Sequence, residues 1–411
     1  MKNIIIYIIG CLLILPLGLK AQTLNDYLKI ASENNPSLKA SFTEFEASLT
    51  RVSQVNALPD PTLSFGVFIS PIETRIGAQR ARISISQMFP WFGTLKAKES
   101  VATLQAEAKY QEFLNEKNEL FFKVKKAYYP IYEVNKQLKL MESYLAILVT
   151  YKQLATTAVA NGKGAMTDVI RVDIMIEDMK TDIQLMRDKL MPLTTTFNRL
   201  LNRSDSIDVV VSDSLSSFDI EEQYRRDSLL TANPMIKAME TQIQATDAMI
   251  EVAQKKGLPQ FGVGLDYAFI SERTDMNVPD NGKNAIMPMV TMSVPVFRGK
   301  YKASVEEAEL MKTSMEYKKE NLENNLFSSY EATWYELDRA HQLIALYVTQ
   351  MEKTEQVIRL LYTAYSNSGK DFEEVLRMQQ QLLKYQMALV SENTKFFTAL
   401  AQLDYITAKT E

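Results

Sequence analysis

The chain has 411 residues, with 46 Lys and Arg against 50 Asp and Glu, a net charge of −4, one cysteine and one histidine. Mild acidity argues against a nucleic-acid partner, because phosphate binding needs clustered Lys and Arg. One cysteine excludes an internal disulfide framework, and no G-x-x-x-x-G-K-[ST], G-x-S-x-G or H-E-x-x-H motif is present, so the chain does not read as an enzyme and no cofactor is expected.

The first element is an apolar run from Ile4 to Leu19, preceded by Lys2 and followed by Ala21. It is short for a membrane-spanning helix and reads as a signal peptide over residues 1–21, with an uncleaved anchor as the other reading. Its removal takes Lys2, Lys20 and Cys11 with it, which moves the charge from −4 to −6 and leaves no cysteine. The mature chain then has no thiolate metal site and no cysteine to acylate, and its address is beyond the inner membrane of a two-membrane bacterium.

The rest of the chain is written twice. Asn35-Pro36 recurs as Asn233-Pro234, Leu58-Pro59 as Leu258-Pro259, and Phe89-Pro90-x-Phe92 as Val294-Pro295-x-Phe297. Asp168-Val169-Ile170-Arg171 returns as Glu374-Val375-Leu376-Arg377, so the landmarks keep one order at offsets of 198, 200, 205 and 206. A first repeat over 22–218 and a second over 219–411 follow. The first carries short helices near Leu24 to Glu33 and Ser37 to Ala57, strands at about 61–70 and 80–89, and long helices at about 94–161 and 165–201. Pro130 predicts a kink in the first long helix and Pro192 a bend in the second. After a polar linker, Asn202 to Phe218, the second repeat has short helices near Ile220 to Thr231 and Met235 to Lys256. Its strands lie at about 260–270 and 285–296, and its long helices at about 299–368 and 371–409.

Each strand alternates. Leu63, Phe65, Val67 and Ile69 oppose Thr62, Ser64, Gly66, Phe68 and Ser70, and Ala81, Ile83, Ile85, Gln87 and Phe89 oppose Arg80, Arg82, Ser84 and Ser86. Phe261, Val263, Leu265, Tyr267 and Phe269 oppose Gly262, Gly264 and Asp266, while Ile286, Val290, Met292, Val294 and Val296 form one face of the fourth strand. A period of two puts each apolar set on one side of a sheet, and each segment is near the length of a tilted strand crossing an outer membrane. Two soluble hairpins packed on a core would alternate in the same way. Closure favours the membrane: four strands cannot enclose a barrel and lipid tolerates no open edge, whereas three copies supply twelve strands. Pro71 to Gln79 and Ser271 to Asn284 are then expected as outer loops.

Lys300 to Ser368 contains neither Gly nor Pro and would span about 100 Å as one helix. Phe327, Tyr330, Trp334, Leu337, His341, Ile344, Val348 and Met351 step by threes and fours along it, which is coiled-coil spacing. The histidine therefore reads as a packing residue. Gly162-Lys163-Gly164 falls between long helices and reads as a tight turn rather than a phosphate loop. Most of the twenty methionines sit on amphipathic helices as gap fillers, and Met287 and Met289 on the fourth strand are the exceptions.

With these landmarks in place the chain resembles the TolC family of outer-membrane efflux ducts. The resemblance is carried by Asn34 to Pro36, Leu58-Pro59-Asp60-Pro61 and the repeated [DE]-V-[IL] motif. Gln87-Met88-Phe89-Pro90-Trp91-Phe92-Gly93 is most similar to the heavy-metal branch, of the CzcC and CusC type, although the chain lacks that type's lipidated cysteine and has no His or Cys to ligate a metal. The resemblance implies a mainly α fold with a small β part, assembled as a homotrimer with a twelve-stranded barrel in outer-membrane lipid and a helical tunnel in the periplasm. It also implies a periplasmic adaptor and an inner-membrane pump, commonly of the RND class, with the duct as a passive gated exit. Its periplasmic tip would be the turns at Gly162 to Thr167, including Gly164, and Gly369 to Phe372. Asp168, Arg171, Glu374 and Arg377 would line the constriction. Asp168 and Glu374 are either helix caps or threefold rings of charge, and each arginine three residues on shares a face with its acid. A trimeric periplasmic spacer or adhesin stalk is the alternative without transport.

Overall fold

The computed structural model describes residues 23–211, 215, 227–368 and 372–409. The expected leader, most of the end of the linker and Gly369 lie outside the described residues. The elements fall into two compact units, and each draws on both sequence repeats: one comprises Met1–Lys39, Glu116–Leu230 and Leu326–Glu411, the other Ala40–Asn115 and Thr231–Asn325.

The second unit contains the sheet. Strands β1 (Thr62–Thr74), β2 (Gly77–Phe89), β3 (Gln260–Ser271) and β4 (Ala285–Ser293) pair antiparallel in that order, leaving β1 and β4 as edges. Register puts Leu63, Ile85, Leu265 and Pro288 side by side, and Phe65, Ile83, Tyr267 and Ile286 in the adjacent row of the same face. The opposite face carries Ser84, Asp266 and Met287 in one row and Ser86, Gly264 and Met289 in the next. The alternation read from the sequence is therefore the alternation of the sheet. Pro288 lies in β4, which is an edge strand within the single chain.

Two boundaries differ from expectation. Pro71 to Gln79 is not a loop: Ile72 pairs with Gln79, Glu73 with Ala78 and Thr74 with Gly77, so the hairpin runs on to a turn at 75–76. Proline breaks the ladder only locally, as a register shift between Val67 and Ile72, because it removes one donor without ending the strand. At the other end β4 stops at Ser293, three residues short, before Pro295.

The repeated Asn-Pro is a helix start used twice. Asn35 Oδ1 accepts from Ser37 N (3.0 Å) and Leu38 N (3.2 Å) above helix α2 (Pro36–Val55), which follows α1 (Leu24–Asn34). Asn233 Oδ1 accepts from Met235 N (2.9 Å) at the start of α6 (Pro234–Lys256). In both, the asparagine satisfies amides that have no helical partner, and proline supplies a preset first φ. The long helices are α3 (Thr94–Ala160), which continues through Pro130, α4 (Met166–Asp188), α5 (Leu190–Leu200), α7 (Arg298–Ser368) and α8 (Phe372–Thr407). The return helix of the first repeat is interrupted at Lys189, three residues before Pro192. A proline ring clashes with the carbonyl four residues back, here Asp188, where α4 ends. The α-helix expected at Ile220 to Thr231 is, in its described part, a short 3-10 segment, Asp227–Ala232.

The first unit holds the helical core. Val134, Leu138, Met141, Tyr144, Leu148, Tyr151 and Ala155 of α3 pack with Val172, Ile176, Met179 and Ile183 of α4 and with Val375, Leu376 and Leu383 of α8. On α7 the buried stripe is Tyr330, Thr333, Leu337, Ala340 and Ile344, against Phe396, Ala399, Leu403 and Ile406 of α8. It shares Tyr330, Leu337 and Ile344 with the expected seam and adds the smaller Thr333 and Ala340, while Trp334 packs half-buried against it. Phe327 and Val348 are exposed within the chain. His341 lies half-buried with its ring 6.2 Å from that of Phe396, a packing position.

Tyr144 offers a test of this core. Its hydroxyl is buried without a hydrogen-bond partner among the described residues, and burial pushes its phenol well above the usual range near 10. A Tyr whose pKa is raised on folding loses stability as pH climbs past the unfolded value. Tyr144→Phe should therefore be neutral or stabilising by about 1 kcal/mol at neutral pH and should move the onset of alkaline unfolding above pH 10 upward, read by circular dichroism. Destabilisation by more than that would mean the hydroxyl has a partner in the assembled protein.

Candidate functional site

Two regions carry the features that sequence marked. The first is the sheet. Phe65 is 70% exposed, Ile69 99% and Val290 81%, so nothing among the described residues covers the apolar face. That excludes hairpins packed face-down on their own core. On the opposite face Arg82 is ion-paired with Asp266, which is buried, and Arg82 Nη2 lies 4.0 Å from Met289 Sδ. Gly262 and Gly264 make room there: a Cβ at Gly262 would collide with Thr291 Oγ1 and Met88 Sδ, and one at Gly264 would lie 3.5 Å from Met289 Cε. Gly66, by contrast, faces open space.

Gln87 and Trp91 of the short motif have structural work. Gln87 Nε2 donates to the Pro59 carbonyl at 2.7 Å, which ties the entry of β1 to the exit of β2. Trp91 stacks on Phe261 with ring centroids 5.8 Å apart.

The second region, in the first unit, is the turn between α3 and α4 together with the start of α8. Helix α3 ends in a Schellman turn, in which Lys163 N donates to Ala158 O (2.8 Å) and Gly162 N to Val159 O (3.0 Å). Gly162 sits at φ +67°, and a Cβ at Gly164 would press on Ala158 Cβ at 3.0 Å. Both glycines are thus explained by the turn. Ala165 precedes α4 without a side-chain cap, so Asp168 is not an N-cap. Asp168 and Glu374 are each the third residue of their helix, where the dipole favours a carboxylate.

The arginines pair differently in the two repeats. Arg377 is ion-paired with Glu374 in its own helix, and that carboxylate raises the guanidinium pKa further. Arg171 does not pair with Asp168. It reaches across to Glu373 of α8 at 2.9 Å. Asp168 makes no ion pair among the described residues, and its charge acts on Tyr365. Burial pushes the Tyr365 phenol up and the Asp168 charge adds to the shift. Tyr365 packs on Phe372 (4.9 Å), Phe372 on Tyr151 (6.0 Å), and Gln379 Nε2 donates to the Tyr151 hydroxyl at 3.1 Å. Glu373 escaped the sequence reading because its counterpart in the first repeat is Thr167, so the duplication gave no signal for it.

The family model described as outer membrane efflux protein matches residues 226–409. No curated protein sequence matches the chain. Among solved structures the outer-membrane channel OprN superposes with a TM-score of 0.76 at 16% identity, covering 94% of this chain and 90% of that one. CusC gives 0.75 at 15%, with 93% and 91% covered, and the outer membrane protein VceC of Vibrio cholerae 0.73 at 16%, with 93% and 95% covered. The fold is that of these outer-membrane channels. CusC stands no nearer than OprN, so the likeness of fold does not single out the heavy-metal branch. Both repeats take part in the structural match, although the family model covers only the second.

The two faces of the sheet should answer differently to charge. Val263→Arg should destabilise by about 2–4 kcal/mol in a bilayer, whereas Gly66→Arg should leave stability near the parent and alter conductance. Gly262→Arg is unsuitable as the polar-face probe, since Thr291 and Met88 already fill the space. Urea unfolding in vesicles reads the ranking, and the reverse order would place lipid on the opposite face.

Proposed function

We propose that this protein is the outer-membrane duct of a tripartite efflux system. Three copies close a twelve-stranded barrel, a periplasmic adaptor meets the helical tip, and an inner-membrane pump of the RND class supplies the energy. The duct is then a passive exit that opens and closes at the tip. The observation that carries this reading is the sheet: its apolar face is uncovered, both its edges are unpaired, and its fold is shared with outer-membrane channels. A spacer or adhesin stalk needs neither an uncovered apolar face nor a closed barrel. Among the described residues no helix is long and apolar enough to cross a membrane.

At the tip, Asp168, Arg171, Glu374 and Arg377 form the constriction, with Glu373 added. Three carboxylates against two guanidinium groups leave one net negative charge per protomer, and threefold symmetry turns that into a ring that favours cations. The unpaired Asp168 contributes most, because Glu374 is held by Arg377. Heavy-metal cations are the substrate class favoured by the resemblance of Gln87–Gly93, and the acidic ring suits them. Exposed Ile170 and Ile174 on α4 are the side chains a neighbouring protomer would cover.

Detergent-extracted protein should migrate as a trimer in SDS until heated, and a monomer stable in aqueous buffer would contradict the reading. In planar bilayers Asp168→Asn with Glu374→Gln should lower the cation-to-anion permeability ratio or loosen closure. Parental conductance with only a lower melting temperature would make the two acids helix-dipole partners and nothing more.

A further inference from the structure

One end of the sheet is basic. The pairings Thr62 with Ser86, Phe89 with Phe261 and Gln260 with Ser293 put the start of β1, the end of β2, the start of β3 and the end of β4 together. Lys96 and Lys98 follow β2, Lys255 and Lys256 precede β3, and Arg298, Lys300 and Lys302 follow β4. Across 56–61, 89–98, 255–260 and 293–302 the only acid is Asp60. The opposite end is mixed and largely self-neutralised: Arg273 pairs with Asp275 at 2.7 Å and Lys283 with Asp280 at 3.3 Å. At the basic end only Lys255 has an ion pair among the described residues, to Glu251 at 3.3 Å.

Aromatic side chains are interleaved with these cations. Phe92 is 80% exposed and Phe297 83%, and Lys300 Nζ lies 4.8 Å from the centre of the Tyr301 ring. Lys98 and Lys256 also line a cavity of about 290 Å³ with Arg51, against a wall that includes Val55, Val252 and Met311 and in which Glu307 is the only acid. Exposed aromatics beside cations, within a few residues of strand ends, are what a membrane–water interface selects. An acidic protein surface would account for the charges but not for Phe92 and Phe297.

We propose that this collar binds the headgroups of anionic phospholipid in the leaflet facing the helices, with the aromatic rings at the depth of the glycerol backbone. The proposal rests on the outer-membrane reading. Clustered Lys and Arg near a bilayer gain from negative lipid, and the gain fades with salt.

The test uses the full-length chain, reconstituted into vesicles of phosphatidylcholine with or without phosphatidylglycerol and then extracted, with the retained lipid quantified at low and high salt. The protein should float with both vesicles. It should retain phosphatidylglycerol over phosphatidylcholine by roughly tenfold at low salt, with the preference collapsing at high salt. Lys96→Gln, Lys256→Gln, Arg298→Gln, Lys300→Gln and Lys302→Gln together should abolish the preference while the SDS-resistant trimer persists. Arg75→Gln with Lys283→Gln, at the opposite end, should keep it. Flotation with neither vesicle overturns the outer-membrane reading itself. Flotation with both but equal retention of the two lipids overturns only the collar and leaves the cations to an acidic protein. The wild-type salt series decides the matter even if the fivefold variant fails to assemble.

Discussion

On the proposed outer-membrane reading, an open sheet edge in lipid is the constraint on which this structure turns. Every backbone N–H and C=O in a hydrocarbon environment must be paired within protein, and β1 and β4 each leave one row unpaired. Four antiparallel strands run up, down, up and down, so β4 of one copy and β1 of the next are themselves antiparallel and the pattern repeats without a seam. Two copies would give eight strands, a barrel whose interior side chains fill it. Three give twelve and leave a lumen. On the proposed reading, the apolar face meets lipid, the Arg82–Asp266 pair sits in the wet interior, and the long helices inherit the threefold symmetry.

The same symmetry gives meaning to apolar side chains that the isolated chain leaves exposed. Phe327 and Val348 belong to the expected coiled-coil seam of α7 but lie beside its buried stripe. A helix that packs inward through Tyr330, Leu337 and Ile344 can present the flanking stripe to a neighbouring copy. The two stripes lie side by side on the helix, and hydrophobic spacing alone cannot tell them apart.

What the sequence made legible were features with a fixed local period or a local hydrogen-bond logic. The strand faces were legible because side chains alternate away from the register shifts after Val67 and Gln79, and the starts of α2 and α6 because Asn-Pro both caps and presets a helix. Helix lengths followed from the absence of Gly and Pro. The misread boundaries lie at prolines. Pro71 interrupts pairing without ending a hairpin, and Pro192 acts one turn upstream of itself, at Asp188. At the tip, the acids and arginines were found as a repeated motif, but their partners were not. Arg171 pairs with Glu373, a residue outside the repeated motif, and only three-dimensional proximity reveals that.

The central claim is that β4 of one copy pairs with β1 of the next, and disulfide trapping tests it most directly. Apart from Cys11 in the expected leader, the chain has no cysteine to compete. A cysteine at Thr291 of β4, combined in turn with single cysteines along β1 from Thr62 to Val67, should give an oxidation-dependent ladder that stops at three chains. The cross-linked register should alternate with side-chain parity. A ladder that continues past three, or no cross-link at any position in membrane-extracted protein, would contradict a closed trimeric barrel.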